Sequence, residues 1–479
     1  MSNIKKNFIY NVAYQILALI IPFITIPYIS RILKPAGLGV YSYTYTIAYY
    51  FMTFALLGIN NYGNRTIAKS RENKKKLSKN FWSIYLIQIV STIIMIALYN
   101  IYIFIFEKEH LYYCLLQELW VVSAGLDINW FFQGMENFKL TVTRNSIIKI
   151  SSIVFIFAFV KTENDIWKYI LIMTLSTILS EIILFKFLLR YVEFEKITKQ
   201  DVLPKIRPIL ILFVPVIAVM IYKVMDKIMI GKIIGTTEVA YYENAEKIIN
   251  IPISIVNALG MVMLPSTSNL IAKGEEKLVK EYFYKTIRFI MSLIIPIIVG
   301  IICISNDFVE LYLGNDFMRT SDILKILIVS VLFSSIANVI RTQYLIPKER
   351  DKEYIISVTA GAIVNFVLNY YFIKMNGAIG ASVSTVIAEF LVMFIQILFI
   401  KNEFNFKSSF KSFIKYLLCS ITIIIGCIIL EKISNELLKL VLKILVSSTM
   451  YFWVLFIIKD EFVNIVINKI KKLYLCKKV

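Results

Sequence analysis

The sequence predicts an all-α integral membrane protein with fourteen transmembrane helices: two six-helix bundles around a central cavity, plus two extra C-terminal helices. Three observations support this fold class. Of the 479 residues, 58% are apolar and only 18% are charged, with a mean hydropathy of +0.72, whereas soluble proteins are about half apolar and a quarter charged. The apolar residues form long runs between charged segments. The two halves of the chain also repeat one another.

The apolar runs are long enough to cross a bilayer, which takes about 20 residues per helix. The first run, Phe8–Ile29, is too long for a signal-peptide core and lacks a small-residue cleavage site, so we expect it to be retained. The predicted helices cover 9–30, 37–60, 81–106, 111–132, 145–160, 166–190, 207–230, 238–264, 284–304, 320–345, 353–373, 378–400, 413–430 and 439–458.

The basic residues predict the orientation in the membrane. The net charge is +20. With the N-terminus in the cytoplasm, the cytoplasmic segments carry 37 Lys and Arg and the outer segments 14, and the strongest cytoplasmic loop is Arg65–Lys79. Because basic residues collect in cytoplasmic loops, we expect both termini to be cytoplasmic. The charge thus reflects membrane topology, and we predict no nucleic-acid partner.

Several classes of function are excluded. The longest loop has about twenty residues, which leaves no room for a soluble catalytic domain, so we do not expect an enzyme. The five Cys are scattered without a CxxC pair, and the single His, His110, lies in a short predicted loop. This pattern predicts no metal site and no resident cofactor.

Three short segments recur in the same order in both halves of the chain. The pairs are Ser30–Leu33 with Gly231–Ile234, Ile67–Lys69 with Ile271–Lys273, and Ser176–Glu181 with Ser384–Glu389, at offsets of 201, 204 and 208 residues. The repeat predicts an N-terminal six-helix bundle at 1–206, a C-terminal six-helix bundle at 207–404, and a third region at 405–479 with helices 13 and 14 and a basic cytoplasmic tail.

Each repeat holds an even number of spans, so both enter the membrane in the same orientation. Parallel repeats of this kind are typical of transporters, whose substrate site lies between the bundles near the midplane. Prolines inside predicted helices favour kinks there. We predict hinges at Pro22, Pro215 and Pro252.

Ionisable residues inside predicted spans mark the candidate site, because a charge at bilayer depth costs at least ~2.5–3.5 kcal/mol. Glu243 and Lys247 lie four residues apart on helix 8. Helix 7 carries Lys223, Asp226 and Lys227 on one face. If the two helices face each other, these residues line a cavity with one spare positive charge that binds an anionic substrate. An internal salt-bridge network is the alternative, and both can hold.

Other charged residues complete the predicted site. Arg31 and Arg341 lie at helix ends, where they either extend the cationic cavity or reach the lipid headgroups. Glu181 and Glu389 occupy matching positions in the two repeats. These acids, like Asp226 and Glu243, are candidates to pair with the cations or to couple H⁺ or Na⁺ to transport.

Several motifs in the chain form a set that occurs in one family: Asn11–Gln15, Pro22, Pro27–Leu33, Gly37–Tyr41, Asn129–Gly134, Tyr241–Lys247 and Pro347–Lys352. They resemble the motifs of bacterial polysaccharide repeat-unit flippases of the Wzx type, which belong to the multidrug/oligosaccharidyl-lipid/polysaccharide exporter superfamily. The resemblance implies a flippase in the bacterial cytoplasmic membrane that moves undecaprenyl diphosphate-linked oligosaccharides from the inner to the outer leaflet by alternating access. It implies a role in O-antigen or capsule assembly, alongside a polysaccharide polymerase and chain-length machinery.

The resemblance also implies a role for Lys247. Related peptidoglycan-precursor flippases have an arginine on helix 8 five residues before a proline, followed by Leu-Pro-Ser. Here Lys247 precedes Pro252 by five residues, and Leu264–Ser266 follows. Lysine keeps the charge that binds a diphosphate but loses the bidentate fork of arginine. No buried arginine pair occurs in helices 1 and 2, which favours a polysaccharide substrate.

Two other functions stay open on the sequence. One is an ion-coupled multidrug exporter of the same superfamily, which would favour net negative charge in the cavity. The other is a membrane polysaccharide polymerase or glycosyltransferase, which would need a large outer loop, a cytoplasmic domain or a cluster of catalytic carboxylates.

Overall fold

A computed structural model gives the fold for residues 2–461, without the side chains of 2–20, 138, 218–219 and 221–223. Within these limits the regular structure is helical. The α-helices are α1 (Ser2–Leu56), α2 (Ile59–Ser70), α3 (Lys74–Phe106), α4 (Leu111–Leu126), α5 (Asn129–Gly134), α6 (Phe138–Phe159), α7 (Ile166–Leu188), α8 (Lys199–Ile233), α9 (Thr236–Ala272), α10 (Glu276–Tyr312), α11 (Met318–Leu327), α12 (Ser330–Ile340), α13 (Asp351–Ile400), α14 (Lys407–Ile429) and α15 (Glu436–Ile457).

The chain forms two compact units, Met1–Ala240 and Tyr241–Val479, called unit 1 and unit 2 below. In unit 1, α1 packs against α3, α4, α6 and α8, and α4 also packs against α7. In unit 2, α10 packs against α11, α12, α14 and α15, and α13 packs against α11 and α12. The boundary predicted at 206/207 separates the two sequence repeats, not these compact units. It stays a prediction.

Two long helices each contain a sharp interruption where the sequence predicts two helices. In α1, Lys34 has φ 57° and ψ 173°, and Pro35 follows it. Proline disfavours the helical conformation at the residue before it, which is consistent with a break at Lys34. In α13, Asn376 is non-helical and Gly377 has φ 59°, a left-handed conformation that glycine adopts without strain.

A short helix, α2, occupies a region that the sequence analysis assigns to a loop. Its twelve residues are too few to cross a bilayer. They pack against α5 and α3, where an added Cβ on Gly63 would lie 2.4 Å from the Trp130 ring. Trp130 is fully buried, stacks on Phe81 at 5.5 Å, and donates its indole N–H to Gln88 Oε1 at 3.0 Å. The helix therefore forms because a buried aromatic cluster holds its apolar face.

Two of the predicted spans are broken. The predicted helix 111–132 divides into α4 and α5, because Asp127 is extended and its Oδ1 accepts the backbone N–H of Asn129 at 2.9 Å. The predicted helix 320–345 consists of α11, α12 and a π-helical turn, Arg341–Leu345, with a bend of 43° between its two parts. Both breaks place polar groups within predicted spans.

The protein is a multi-pass membrane protein. Among the described residues, eight helices are long and apolar enough to cross a membrane, or nine if the bent pair is counted as one span. The predicted count of fourteen spans stays a prediction.

The last helix, α15, is attached to α10 by buried polar contacts. Lys443 on α15 is 2% exposed and binds Asp307 of α10 at 2.7 Å, as does Lys439. Farther along α15, the Tyr451 hydroxyl donates to the Ser292 carbonyl of α10 at 2.8 Å. An unpaired charge within such a contact would be costly, so these ion pairs favour the packing of α15 on α10.

Candidate functional site

Helix α9 has a packed face and an exposed apolar face. The packed face contains buried Ala245, Ile249 and Val256. The exposed apolar face contains Ile255 and Val262, which are 49% and 67% exposed. Exposed aliphatic residues on a membrane span are what lipid contact requires.

A third, polar face separates these two. Glu243, Lys247, Asn250, Ser254 and Asn257 follow one another at alternating steps of four and three residues. At 100° per residue they fall within a sector of about 80°. Lys247, Asn250 and Asn257 are exposed, although the helix is apolar enough to cross a membrane. Polar groups at this depth normally line a water-filled cavity.

Lys247 and Glu243 form an ion pair along this face. Their Nζ and Oε1 atoms are 2.8 Å apart, and the side chains are 42% and 10% exposed. Glutamate four residues before lysine is the favourable order on a helix. An ammonium group has three donors, so Lys247 can bind a further anion while it stays paired with Glu243.

At the other end of the polar face, α9 approaches α12 closely. Asn338 Nδ2 donates to Asn257 Oδ1 at 2.8 Å. Gly260 permits this approach, because a Cβ there would lie 2.6 Å from Asn338 Oδ1 and 3.2 Å from the Thr342 methyl group. The polar face thus continues onto a second helix of unit 2.

Arg341 follows Asn338 by one turn and begins the π-helical turn. The guanidinium lies 5.6 Å from the Tyr354 ring, and Nη1 donates to the Tyr354 hydroxyl at a long 3.4 Å. Its Nε is buried and has no hydrogen-bond partner among the described residues. π-helical turns occur frequently at functional sites. Arg341, predicted from its position at a helix end, can therefore still donate a hydrogen bond.

The predicted cations of unit 1 have less definite surroundings. Arg31 is exposed, and its Nη1 donates to the Pro27 carbonyl at 2.9 Å. Asp226 is buried and Lys227 is half-buried on α8. The Lys223 side chain lies outside the described residues. The predicted grouping of these α8 residues with the α9 ion pair stays a prediction.

Glu181 belongs to a buried network in unit 1. Arg144 Nη1 lies 3.6 Å from Glu181 Oε2, with side-chain exposures of 4% and 9%. Asn129 Nδ2 lies 3.1 Å from both Glu181 oxygens and 2.8 Å from Asp127 Oδ1, and Asn129 Oδ1 accepts from Arg144 Nη2 at 2.9 Å. Asn129 thus links the half-buried Asp127 carboxylate to Glu181 and Arg144.

Arg144 is not among the residues predicted for the site. The predicted helix begins at residue 145 and places Arg144 just outside it, whereas α6 begins at Phe138. At 1.5 Å per residue, Arg144 lies about 9 Å inside the helix. The Lys-Leu-Thr-Val-Thr-Arg segment at 139–144 is too polar for its hydropathy to predict a membrane helix.

The remaining predicted residues lie within helices. Glu389 is half-buried on α13. Pro22, Pro215 and Pro252 lie inside α1, α8 and α9. Their predicted hinge role stays a prediction. In the part of the chain that the structure describes, no three His, Cys, Asp or Glu side chains are grouped to hold a metal ion.

Comparison with known proteins identifies the family. A family model described as "Polysaccharide biosynthesis protein" matches residues 4–271, which is more than half of the chain. The chain belongs to this family. A second model, described as MatE, matches residues 212–371.

Three relatives extend the comparison of this polysaccharide biosynthesis family member. The "Putative O-antigen transporter" of Escherichia coli (strain K12) is 23% identical over 418 residues, covering 84% of this chain and 97% of that protein. The "Lipid II flippase MurJ" of Bacillus subtilis (strain 168) is 26% identical over 174 residues, covering 36% of this chain and 31% of that protein. A solved "Lipid II flippase MurJ, inward closed conformation" has a TM-score of 0.73 at 17% identity and covers 96% and 99% of the two chains.

These comparisons confirm the predicted family and a membrane transporter fold. The relatives carry the names of transporters and flippases, as the prediction of a non-enzymatic transporter requires. The polymerase and glycosyltransferase alternatives receive no support from them. Structural likeness at 17% identity establishes the fold of this family member and not its substrate.

Proposed function

We propose that this protein is a flippase that moves undecaprenyl diphosphate-linked oligosaccharide repeat units from the inner to the outer leaflet of the bacterial cytoplasmic membrane, for assembly of a surface polysaccharide. The family and the O-antigen transporter relative support this substrate class. The single observation that carries the proposal is the exposed polar face of α9 with Lys247 on it.

The chemistry of the substrate explains why such a face is needed. Its headgroup combines a diphosphate with sugar hydroxyls, and neither crosses hydrocarbon without replacement of its water. Lys247 would supply a cation for the diphosphate, and Arg341 a second donor beyond the far end of the face. The polyprenyl tail would remain in lipid, where no replacement is required. The headgroup would therefore cross inside the protein while the tail moves through the bilayer beside it.

We also propose the finer architecture, with fourteen spans in two parallel repeats and alternating access around a cavity between the bundles. Matching backbone features support the repeat. Positive φ occurs at Lys34 and, 201 residues later, at Gly235. It also occurs at Glu136 and Glu349, and in each of these turns three consecutive backbone N–H groups bond back four, three and five residues, in that order.

The orientation and the driving force belong to the same proposal. The bias of Lys and Arg supports cytoplasmic termini. The proposal includes coupling to H⁺ or Na⁺ through Asp226, Glu243, Glu181 or Glu389. It also includes association with a polysaccharide polymerase and chain-length machinery.

The test is a charge series at Lys247 in the native host. Lys247→Glu should abolish surface polysaccharide and cause lipid-linked oligosaccharide to accumulate on the cytoplasmic leaflet, because the face would repel a diphosphate. Lys247→Arg should retain most activity. Lys273→Glu, an exposed site just beyond α9, is the matched control and should behave as wild type. Normal polysaccharide from Lys247→Glu at native expression would contradict the proposal.

A multidrug exporter is the second candidate function, favoured by the MatE match to residues 212–371. Deletion of the gene distinguishes the two. A flippase predicts loss of surface polysaccharide with unchanged drug susceptibility, and an exporter predicts the reverse.

A further inference from the structure

The polar face of α9 carries more than the ion pair that the sequence singles out. Asn250, Ser254 and Asn257 extend it beyond Lys247. Asn250 and Asn257 are exposed and Ser254 is half-buried. From Lys247 to Asn257 the face runs about 15 Å at 1.5 Å per residue. Uncharged polar side chains therefore occupy much of its length.

Neither lipid contact nor internal packing explains these carboxamides. An amide group transferred from water to hydrocarbon costs several kcal/mol unless it is hydrogen-bonded. The exposed apolar face of α9, which carries Ile255 and Val262, is separate from the polar face. A packing role would require burial, as at Val256, yet both asparagines are exposed. A polar ligand or water must therefore meet this face.

The order of side chains along the face matches a substrate with a charged part and a neutral part. An ammonium group suits a diphosphate, whereas carboxamides and hydroxyls both donate and accept hydrogen bonds, as sugar hydroxyls do. The Ser254 hydroxyl donates to the Asn250 carbonyl at 2.6 Å, which leaves its oxygen free to accept. Asn338, bonded to Asn257, lengthens the neutral part.

We propose that Asn250, Ser254 and Asn257 form a glycan-binding stripe, continued by Asn338, that recognises the oligosaccharide while Lys247 binds the diphosphate. This inference rests on the proposed function and adds to it the part of the protein that senses the glycan. Its length is greater than that of a single sugar ring, so the stripe distinguishes an oligosaccharide from a monosaccharide on the same lipid.

The experiment compares two probes in proteoliposomes containing the full chain. One is the lipid-linked oligosaccharide extracted from the deletion strain, and the other is undecaprenyl diphosphate carrying one N-acetylhexosamine. Transfer across the bilayer is followed by accessibility of the sugar to periodate. The double variant Asn250→Leu/Asn257→Leu should slow the oligosaccharide by about tenfold, as expected when net hydrogen bonds are lost, and should leave the single-sugar lipid near the wild-type rate.

Two controls separate this inference from the proposed function. Lys247→Ala should slow both probes, because both carry the diphosphate. Asn269→Leu, at an exposed asparagine of α9 outside the stripe, should slow neither. Equal slowing of both probes by the double variant, or slowing of neither, would overturn the stripe while leaving the flippase intact. Failure of the wild-type protein to move either probe would overturn the proposed function and the stripe with it.

Discussion

At the scale of single residues, Arg144 is the buried cation beside the buried Glu181 carboxylate in unit 1. Its guanidinium lies 3.6 Å from Glu181 and donates to Asn129, which in turn bonds to Asp127. Arg144 also donates to the Ser180 carbonyl at 2.8 Å. A buried ion pair is weak evidence for stability in itself, but removal of one partner leaves the other as an uncompensated buried charge.

We expect Arg144→Met to lower the free energy of unfolding by about 3 kcal/mol, because the removal of one partner of a buried pair typically costs 3–5 kcal/mol. Thermal unfolding in detergent measures the effect. The matched control is Arg71→Met, since Arg71 pairs with Glu136 at 2.9 Å but the side chains are 42% and 60% exposed. The control should change stability by less than about 1 kcal/mol. Equal effects would show that burial does not decide the cost.

The sequence anticipates charged residues of a site better than neutral ones. Glu243 and Lys247 are conspicuous because charges rarely occur in apolar helices, and their spacing predicts the observed ion pair. Asn250 and Asn257 are not predicted as site residues, since isolated asparagines are common in membrane helices that pack together. Their spacing places them on the same face as Lys247, but only the structure shows that this face is exposed.

At the scale of elements, the packing of α2 on α5 depends on glycine at one position. The Trp130 ring leaves no space for a Cβ at residue 63. Phe81 and Phe131 surround the same ring, so the indole cannot move aside.

Gly63→Ala should therefore destabilise the protein by about 1–3 kcal/mol, the usual cost of overpacking a core. Gly300→Ala provides the control, because nothing lies within 4 Å of a Cβ there, and alanine is favoured over glycine within helices by up to about 1 kcal/mol. Unfolding temperatures in detergent compare the two. A tolerated Gly63→Ala would contradict the described packing.

The first turn of α8 contains a second testable contact. Asp201 binds Lys79 at 2.8 Å and accepts from the backbone N–H of Thr198 at 3.0 Å. The Lys79 ammonium, with added help from Thr198, lowers the pKa of Asp201 below its ordinary value. A lowered folded-state pKa stabilises the protein above the unfolded pKa of about 3.9, and this stabilisation is lost as the pH falls through the folded pKa.

Asp201→Asn should accordingly lower the unfolding temperature at neutral pH, and the difference from wild type should shrink at strongly acidic pH. Unfolding temperatures measured across a pH series provide the check. Glu195→Gln is a suitable comparison, since Glu195 makes no ion pair within residues 2–461. A difference that is constant down to the most acidic pH would contradict the assigned contact.

Helix positions follow from hydropathy, but breaks do not. The sequence predicts α10, α14 and α15 because each contains a long apolar run. At Asp127 the break accompanies a hydrogen bond from the Asn129 backbone N–H to the Asp127 side chain, and the π-helical turn at Arg341 lies next to the close approach of α9 at Gly260. A reading of local hydropathy contains no such information.

At the scale of the whole molecule, orientation is the property that the sequence predicts and the fold leaves untested. With the five native cysteines replaced, a single cysteine at residue 432 should react with a membrane-impermeant maleimide on intact cells. One at residue 273 should react only after the membrane is opened, because the positive-inside bias places it in the cytoplasm. The opposite labelling pattern would reverse the topology and with it the proposed direction of transport.

The whole-molecule organisation was only partly accessible from the sequence. The matches at nearly constant offset indicate duplication, and the paired turns at Glu136 and Glu349 are consistent with it. The compact units nevertheless divide the chain after Ala240, because α8 packs against α1, α2 and α3. Duplication records the ancestry of the segments, whereas packing depends on the contacts made after folding.

The three faces of α9 restrict how its sequence can change. Inserting one residue ahead of Glu243 would turn the rest of the cylinder by about 100° relative to its N-terminal end. Lys247 would then point towards the lipid acyl chains, and aliphatic side chains would take the place of the polar face. The angular positions of the side chains around the helix axis must thus be preserved more strictly than the identity of any one side chain. Insertions and deletions should be tolerated only in the connections that flank α9.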